Sequence, residues 1–207
     1  MKELTIGTND AGQRLDRFLA KAVPLLPASL AQKYIRLKRI KLNGARAQRD
    51  SRLAAGDVLQ LYINDEFFDK PREDNAYLTV ATPKLNIVYE DENMLLVEKP
   101  YGLLIHGDHT EKKNTLANQV VDYLIETGAY VPRREKTFVP SPVNRLDRNT
   151  TGIVIFGKNN LALQALNKML REKDYVEKYY LTAVKGSLTE ELHLKDYLLK
   201  DEKKNQV

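Results

Sequence analysis

Arg-Leu-Asp occurs twice in this chain, at Arg14-Leu15-Asp16 and at Arg145-Leu146-Asp147, and the two copies stand in different surroundings. The first opens an amphipathic pattern in which Leu15 packs and Asp16 favours the helix dipole, so its reading is structural. The second lies in Pro140-Ser141-Pro142-Val143-Asn144-Arg145-Leu146-Asp147-Arg148-Asn149-Thr150-Thr151-Gly152, directly before the apolar run Ile153-Val154-Ile155-Phe156. That order puts charged groups on a loop at a strand edge. Judged by local composition alone, Asp147 pairs with Arg145 or Arg148 and caps backbone amides. Other reactive groups are scarce. Cys is absent, which excludes disulfides, thiolate nucleophiles and Cys-based zinc sites, and His106, His109 and His193 have no recognised ligand spacing. No metal, no nucleotide-binding loop and no cofactor is expected. Glycoside hydrolysis would need a second carboxylate paired with Asp147, and none carries a motif.

The elements that must position these residues fall into two groups. Leu15, Phe18, Leu19 and Ala22 follow the i, i+3, i+4, i+7 pattern of one buried helix face and predict a helix from about Ala11 to Ala22. A second helix is expected to be capped by Ser29, to carry Leu30, Tyr34 and Leu37 on its apolar face, and to end near Arg39. Ile40-Lys41-Leu42 reads as a short strand before Asn43-Gly44, a dipeptide suited to a type I′ turn, and Val58 to Ile63 reads as a further strand. After a charged, Pro-containing stretch read as a linker, Leu85 to Tyr89 and Met94 to Glu98 are strand candidates, and Lys99-Pro100-Tyr101-Gly102 makes a turn. Helices are expected from Asn114 to about Glu126 (Leu116, Val120, Tyr123 and Leu124 inward) and from Asn160 to about Glu172 (Leu163, Leu166 and Leu170 inward). Strands are expected at Ile153 to Phe156 and Tyr175 to Val184. A chain of 207 residues accommodates two domains. The division expected is 1–63, a linker over 64–83, and a second domain from 84 to 207, together an α+β protein with a mixed, mainly antiparallel second sheet.

Charge is uneven across that division. Residues 1–63 carry 12 Lys/Arg against 5 Asp/Glu, a net +7, while the remainder carries 21 against 23, a net −2. Between Ala31 and Arg49 stand Lys33, Arg36, Lys38, Arg39, Lys41, Arg46 and Arg49 with no acidic residue. The run crosses from helix to turn to hairpin, so it forms a surface patch matched to phosphates, and RNA is the expected partner. No apolar run is long enough to span a bilayer and Met1 to Thr5 lacks the apolar core of a secretory signal, so no membrane is expected and the location expected is the cytoplasm. A monomer is expected.

With Arg14-Leu15-Asp16-Arg17-Phe18-Leu19 at its start and Arg39-Ile40-Lys41-Leu42-Asn43-Gly44 at its centre, the first region resembles the S4-type RNA-binding domain over roughly Arg14 to Tyr62. Asn144-Arg145-Leu146-Asp147, two variable residues, then Thr150-Thr151-Gly152 resembles the active-site motif of the large-ribosomal-RNA branch of pseudouridine synthases, written His, Arg, Leu, Asp, two variable, Thr, Ser, Gly. Two further stretches agree in order and spacing: Lys99-Pro100-Tyr101-Gly102-Leu103-Leu104-Ile105-His106, and Lys178-Tyr179-Tyr180-Leu181-Thr182-Ala183-Val184-Lys185-Gly186. The resemblance implies isomerisation of uridine to pseudouridine in structured RNA, above all large-subunit ribosomal RNA. Asp147 would be the catalytic carboxylate, as nucleophile or base toward the sugar. Arg145 would hold the flipped nucleotide or fill its place in the stack, and Tyr180 would stack on the uracil. His106 and Lys178 would contact RNA.

Asn144 stands for the family's usual His and Thr151 for its usual Ser; both keep hydrogen-bonding capacity. The family's later Gly-Arg-x-His-Gln-Ile-Arg segment, whose Arg pairs with the catalytic Asp, does not occur in these residues. The expectation is therefore of an incomplete synthase region, a piece of a longer protein that binds RNA and turns over negligibly by itself. The alternative is a non-catalytic RNA-binding or ribosome-associated protein.

Overall fold

A computed structural model describes residues 1–68, 85–132, 134–172, 175–197 and 199. It divides into two compact units, 1–176 and 177–207. Most of the expected linker, from residue 69 to 83, lies outside the described residues.

The first unit holds two antiparallel four-stranded sheets, each with its own apolar core. In the first, β1 (Lys2–Thr5), β2 (Ile40–Leu42), β3 (Ala45–Arg46) and β4 (Val58–Leu61) run in the order β1-β4-β2-β3. The β2–β3 turn forms because Asn43 and Gly44 both adopt positive φ, 51° and 76°, which Asn tolerates and Gly favours. Asn43 is also tied down by its side chain, donating to Asp57 and accepting from Val58 N, each at 2.8 Å. Two helices cover the sheet: α1 (Leu15–Ala22) and α2 (Ala28–Arg36). α1 buries Leu15, Phe18 and Leu19 as its periodicity requires, but starts at Leu15, because Arg14 is extended and bridges to Arg52. α2 differs from expectation at both ends. Pro27 stands at its N-cap without a side-chain bond, so Ser29 lies inside the helix, and the buried face is Ala31, Tyr34 and Ile35. Leu37 is 52% exposed, because it lies past the last helical residue and the chain turns at Lys38 (φ 60°).

In the second sheet, β5 (Asn86–Glu90), β6 (Met94–Lys99), β7 (Ser141–Pro142) and β8 (Gly152–Gly157) run in the order β5-β6-β8-β7. α3 (Leu116–Glu126), capped by Thr115 whose side chain accepts from Asn118 N, covers it with Leu116, Val120, Val121 and Leu124. α4 (Asn160–Glu172) follows β8, and Leu163 packs on the same core. The close approach depends on Gly157: a Cβ there would lie 2.7 Å from the Leu163 Cα.

The second unit contains no strand among its described residues, and the strand expected over Tyr175 to Val184 is not formed. Its sequence suits a strand, but a strand is held by ladder partners, and no described strand pairs with these residues.

Candidate functional site: the Asp147 loop and its buried lysine

The core of the second sheet sets the geometry of the Arg145-Leu146-Asp147 loop from below. Along β6, Leu95, Val97 and Lys99 share one parity and all three are fully buried. A lysine at a core position must find acceptors, and the Lys99 Nζ donates to three backbone carbonyls: Leu103 at 2.8 Å, Pro100 at 3.0 Å and Arg148 at 3.0 Å. Burial pushes its pKa below the ordinary lysine value, while the negative charge of Asp147 acts in the opposite sense. The 99–103 turn, in which Gly102 adopts φ 82°, is thereby joined to the 147–150 turn. Two more bonds complete the junction: Gly102 N donates to Arg148 O at 2.9 Å, and Arg148 Nε donates to Gly102 O at 3.1 Å.

From the other side, Asn144 holds the loop to β8. Its Nδ2 donates to Ile153 O and its Oδ1 accepts from Ile155 N, both at 2.9 Å, so its side-chain amide imitates a strand residue. Leu146 then packs on the core, and the alternation leaves Arg145 and Asp147 exposed on either side of it. Among the described residues the Asp147 carboxylate accepts no hydrogen bond and forms no ion pair, and Arg145 and Arg148 do not pair with it. The local-composition reading of Asp147 as a paired, amide-capping carboxylate is therefore replaced by a free carboxylate above a buried cation. His106 lies within reach of the Arg145 charge; burial first, and that charge second, hold its pKa below the ordinary histidine value.

The first Arg-Leu-Asp behaves as its helix position requires. Arg14 donates to Asp16 through Nε at 3.1 Å and Nη2 at 2.6 Å, and this bond holds the Asp16 carboxyl below the usual range.

The basic residues of the first region divide. Lys33, Arg36, Arg46 and Arg49 line one groove of about 520 Å³ between α2 and the segment from β3 to Arg49. Lys41 faces Arg46 across the β2–β3 pair but leans over the Tyr62 ring at 5.3 Å, Arg39 lies over the Tyr34 ring at 5.5 Å, and Lys38 is exposed in the turn after α2. Lys178 and Tyr180 belong to the second unit, where both are exposed on irregular backbone, Tyr180 at 65%.

Lys99 opens one of the stretches that carry the resemblance but received no role there, and its burial was legible besides: it continues the Leu95, Val97 parity into the core. Asp10 had no such signal. It is fully buried and accepts from Lys136 N, Thr137 N and Thr137 Oγ1 at 3.0, 2.8 and 2.6 Å, contacts 126 and 127 residues away in sequence.

Residues 93–207 match the model of the RNA pseudouridylate synthase family, and residues 13–59 match the S4 domain. An uncharacterized RNA pseudouridine synthase of Mycoplasma capricolum is 33% identical over 96% of this chain and 64% of its own length. A ribosomal large subunit pseudouridine synthase C of Haemophilus ducreyi is 32% identical over 96% of this chain and 59% of its own. The chain thus spans about three fifths of the length of these relatives. Among solved structures, human RNA pseudouridylate synthase domain containing 1 aligns with a TM-score of 0.33 at 19% identity, covering 45% of this chain and 30% of that one, too low a score to bear on the fold. With more than half of its residues inside the synthase match, the chain belongs to the RNA pseudouridylate synthase family and carries an S4 domain ahead of the synthase region.

Proposed function

We propose that the protein isomerises uridine to pseudouridine in structured RNA, with large-subunit ribosomal RNA as the substrate class that the synthase C relatives favour. The observation that carries this reading is the unpaired Asp147 carboxylate on a loop fixed by Lys99 and Asn144. An aspartate whose oxygens are not already engaged by its own loop is available to the sugar C1′ or to the base of an extruded nucleotide. Arg145, exposed two residues before it, would hold the flipped nucleotide or fill its place in the stack. Tyr180 would supply the stacking face for uracil, with Lys178 on the backbone phosphate. The groove of Lys33, Arg36, Arg46 and Arg49, together with Lys38, Arg39 and Lys41 outside it, would hold the surrounding RNA by phosphate contacts.

The test is Asp147→Asn in the whole protein, assayed for pseudouridine formation and for RNA affinity. Turnover is expected to fall by at least about 10³-fold, at the level of a lost catalytic group. Affinity is expected to hold within about threefold, because phosphate contacts dominate it. Turnover within tenfold of wild type would remove Asp147 from the chemistry, whereas a collapse of affinity would mean that it acts in binding. Asp16→Asn serves as the control and leaves turnover unchanged.

A further inference from the structure

The exposed face of α1 that carries Arg17, Ala20 and Lys21 looks onto the 137–141 segment and the start of α4 across an open cleft of about 880 Å³. Arg14, Arg17, Lys21 and Arg52 line it on one side, and the opposite wall offers uncharged polar groups, among them Thr137, Ser141 and Gln164. Among the described residues no carboxylate lines it. The acids nearest by sequence are already engaged: Asp16 by Arg14, Asp10 by three donors from residues 136 and 137, and Glu135 by Asn9 Nδ2. Arg14 is spent on Asp16, which leaves Arg17, Lys21 and Arg52 as the lining cations without an ion pair among the described residues, Arg52 donating through one Nη to Gly12 O at 2.8 Å and keeping its other N–H groups. Arg17 and Lys21 are four residues apart, so they share one helix face about 6 Å apart along the axis.

Both ends of this cleft lead somewhere. Asp16 N donates to Arg49 O at 3.0 Å, so the groove of Lys33, Arg36, Arg46 and Arg49 abuts the first turn of α1. At the other end a second cleft, of about 490 Å³, shares Lys21, Thr137, Val139 and Ser141 with the first and reaches His106, the neighbour of Arg145.

We propose that the cleft between α1 and the 137–141 segment is an RNA channel, in which Arg17, Lys21 and Arg52 take successive phosphates of one strand and lead it from the α2–β3 groove toward Arg145 and Asp147. The choice of RNA as occupant rests on the function proposed above; the route through the cleft is a separate statement. Two features fit a single strand better than a duplex lying on a surface. The cations are on one wall only, and the facing wall is uncharged, its Ser141 and Gln164 oxygens keeping acceptor capacity for ribose and base edges beside the bonds that Ser141 Oγ donates to Val139 O and Gln164 Nε2 to Asn160 Oδ1.

The test uses the whole protein and a fluorescently labelled oligouridylate, with affinity measured across a salt series. Arg17→Gln combined with Lys21→Gln removes two phosphate contacts and is expected to flatten the slope of log affinity against log salt by about 1.4, at about 0.7 per contact on a single strand. An unchanged slope overturns the channel. A second measurement does not depend on any variant: with 4-thiouridine in the oligouridylate, photocrosslinks are expected in α1 and in residues 137–141. Crosslinks confined to residues 33–49 overturn the route. Both readouts are binding measurements, so failure of the channel is distinct from failure of the synthase reading, which shows as absent pseudouridine with the salt slope and the crosslinks as expected.

Discussion

Lys99 is the residue on which the geometry of the Asp147 loop depends. It is long enough to pass from the buried face of β6 to the carbonyls of Pro100, Leu103 and Arg148, and its charge lies under a carboxylate that its own loop leaves unpaired. Lys99→Met keeps the volume but takes the Lys99 donor from the Pro100 and Leu103 carbonyls and leaves Arg148 O with Gly102 N alone, at a cost of about 1–3 kcal/mol in unfolding free energy. It also frees the two turns from each other. The expected kinetic signature is a fall in the single-turnover rate at saturating RNA with little change in half-saturating RNA concentration, as for a positioning residue. A urea midpoint equal to wild type would show that the three bonds carry no stability. The two Arg-Leu-Asp copies make the same point in reverse: one aspartate is consumed by its neighbouring arginine at 2.6 Å, the other is not, although the tripeptides are identical.

At the scale of elements, the loop is only as well placed as β8 and α4 behind it. β8 lies at the centre of its sheet, paired with β6 over Gly152 to Gly157, and Asn144 continues its hydrogen bonding into the loop. Gly157 lets α4 turn back directly against the strand end. Gly157→Ala would press a Cβ against Leu163, 2.7 Å from its Cα, 2.8 Å from its Cβ and 2.9 Å from its N, and neither side has a flexible chain end that could yield. The expected loss is about 1–3 kcal/mol, read as a lower urea midpoint, together with faster amide exchange in α4. Val88, on the bulged stretch of β5 and 56% exposed, should by contrast tolerate a polar replacement without measurable change.

Across the whole first unit, the connection between the two cores is polar and specific. Asp10 holds Lys136 N and Thr137, Gln13 Nε2 reaches Thr137 Oγ1 at 2.6 Å, and Asn9 Oδ1 accepts from Asn160 N at 3.1 Å. These bonds set the width of the cleft lined by Arg17 and Lys21. Asp10→Ala strands buried backbone donors and is expected to cost at least about 2 kcal/mol. The same change should let the two cores melt separately, seen as two calorimetric transitions where wild type shows stronger coupling. A single transition at the wild-type temperature would mean that the Asp10 contacts do not join them.

Much of this was legible before any coordinates. Helix faces in α1 and α3, the β2–β3 turn and the strands β5, β6 and β8 follow from periodicity and turn chemistry, because each depends on residues within one or two turns of one another, whereas the two-residue β7 carries no such signal. So do the different surroundings of the two Arg-Leu-Asp copies, since Leu15 and Asp16 stand in a helix pattern and Asp147 stands before a strand; the role proposed for Asp147 comes from the family resemblance instead. The location of Arg14, paired away from RNA, and of Leu37, left outside the α2 face, depended instead on where the helices begin and end, which tertiary packing decides. The segment 175–184 has the composition of a strand but no described ladder partner, and composition cannot supply one. What only the tertiary structure decided is the joining of distant residues. Lys99 meets Arg148 across 49 positions and Asp10 meets Thr137 across 127, and nothing local in either sequence neighbourhood names its partner. Such pairings are chosen by which buried polar group finds an acceptor or donor once two cores have formed, a property of the folded whole.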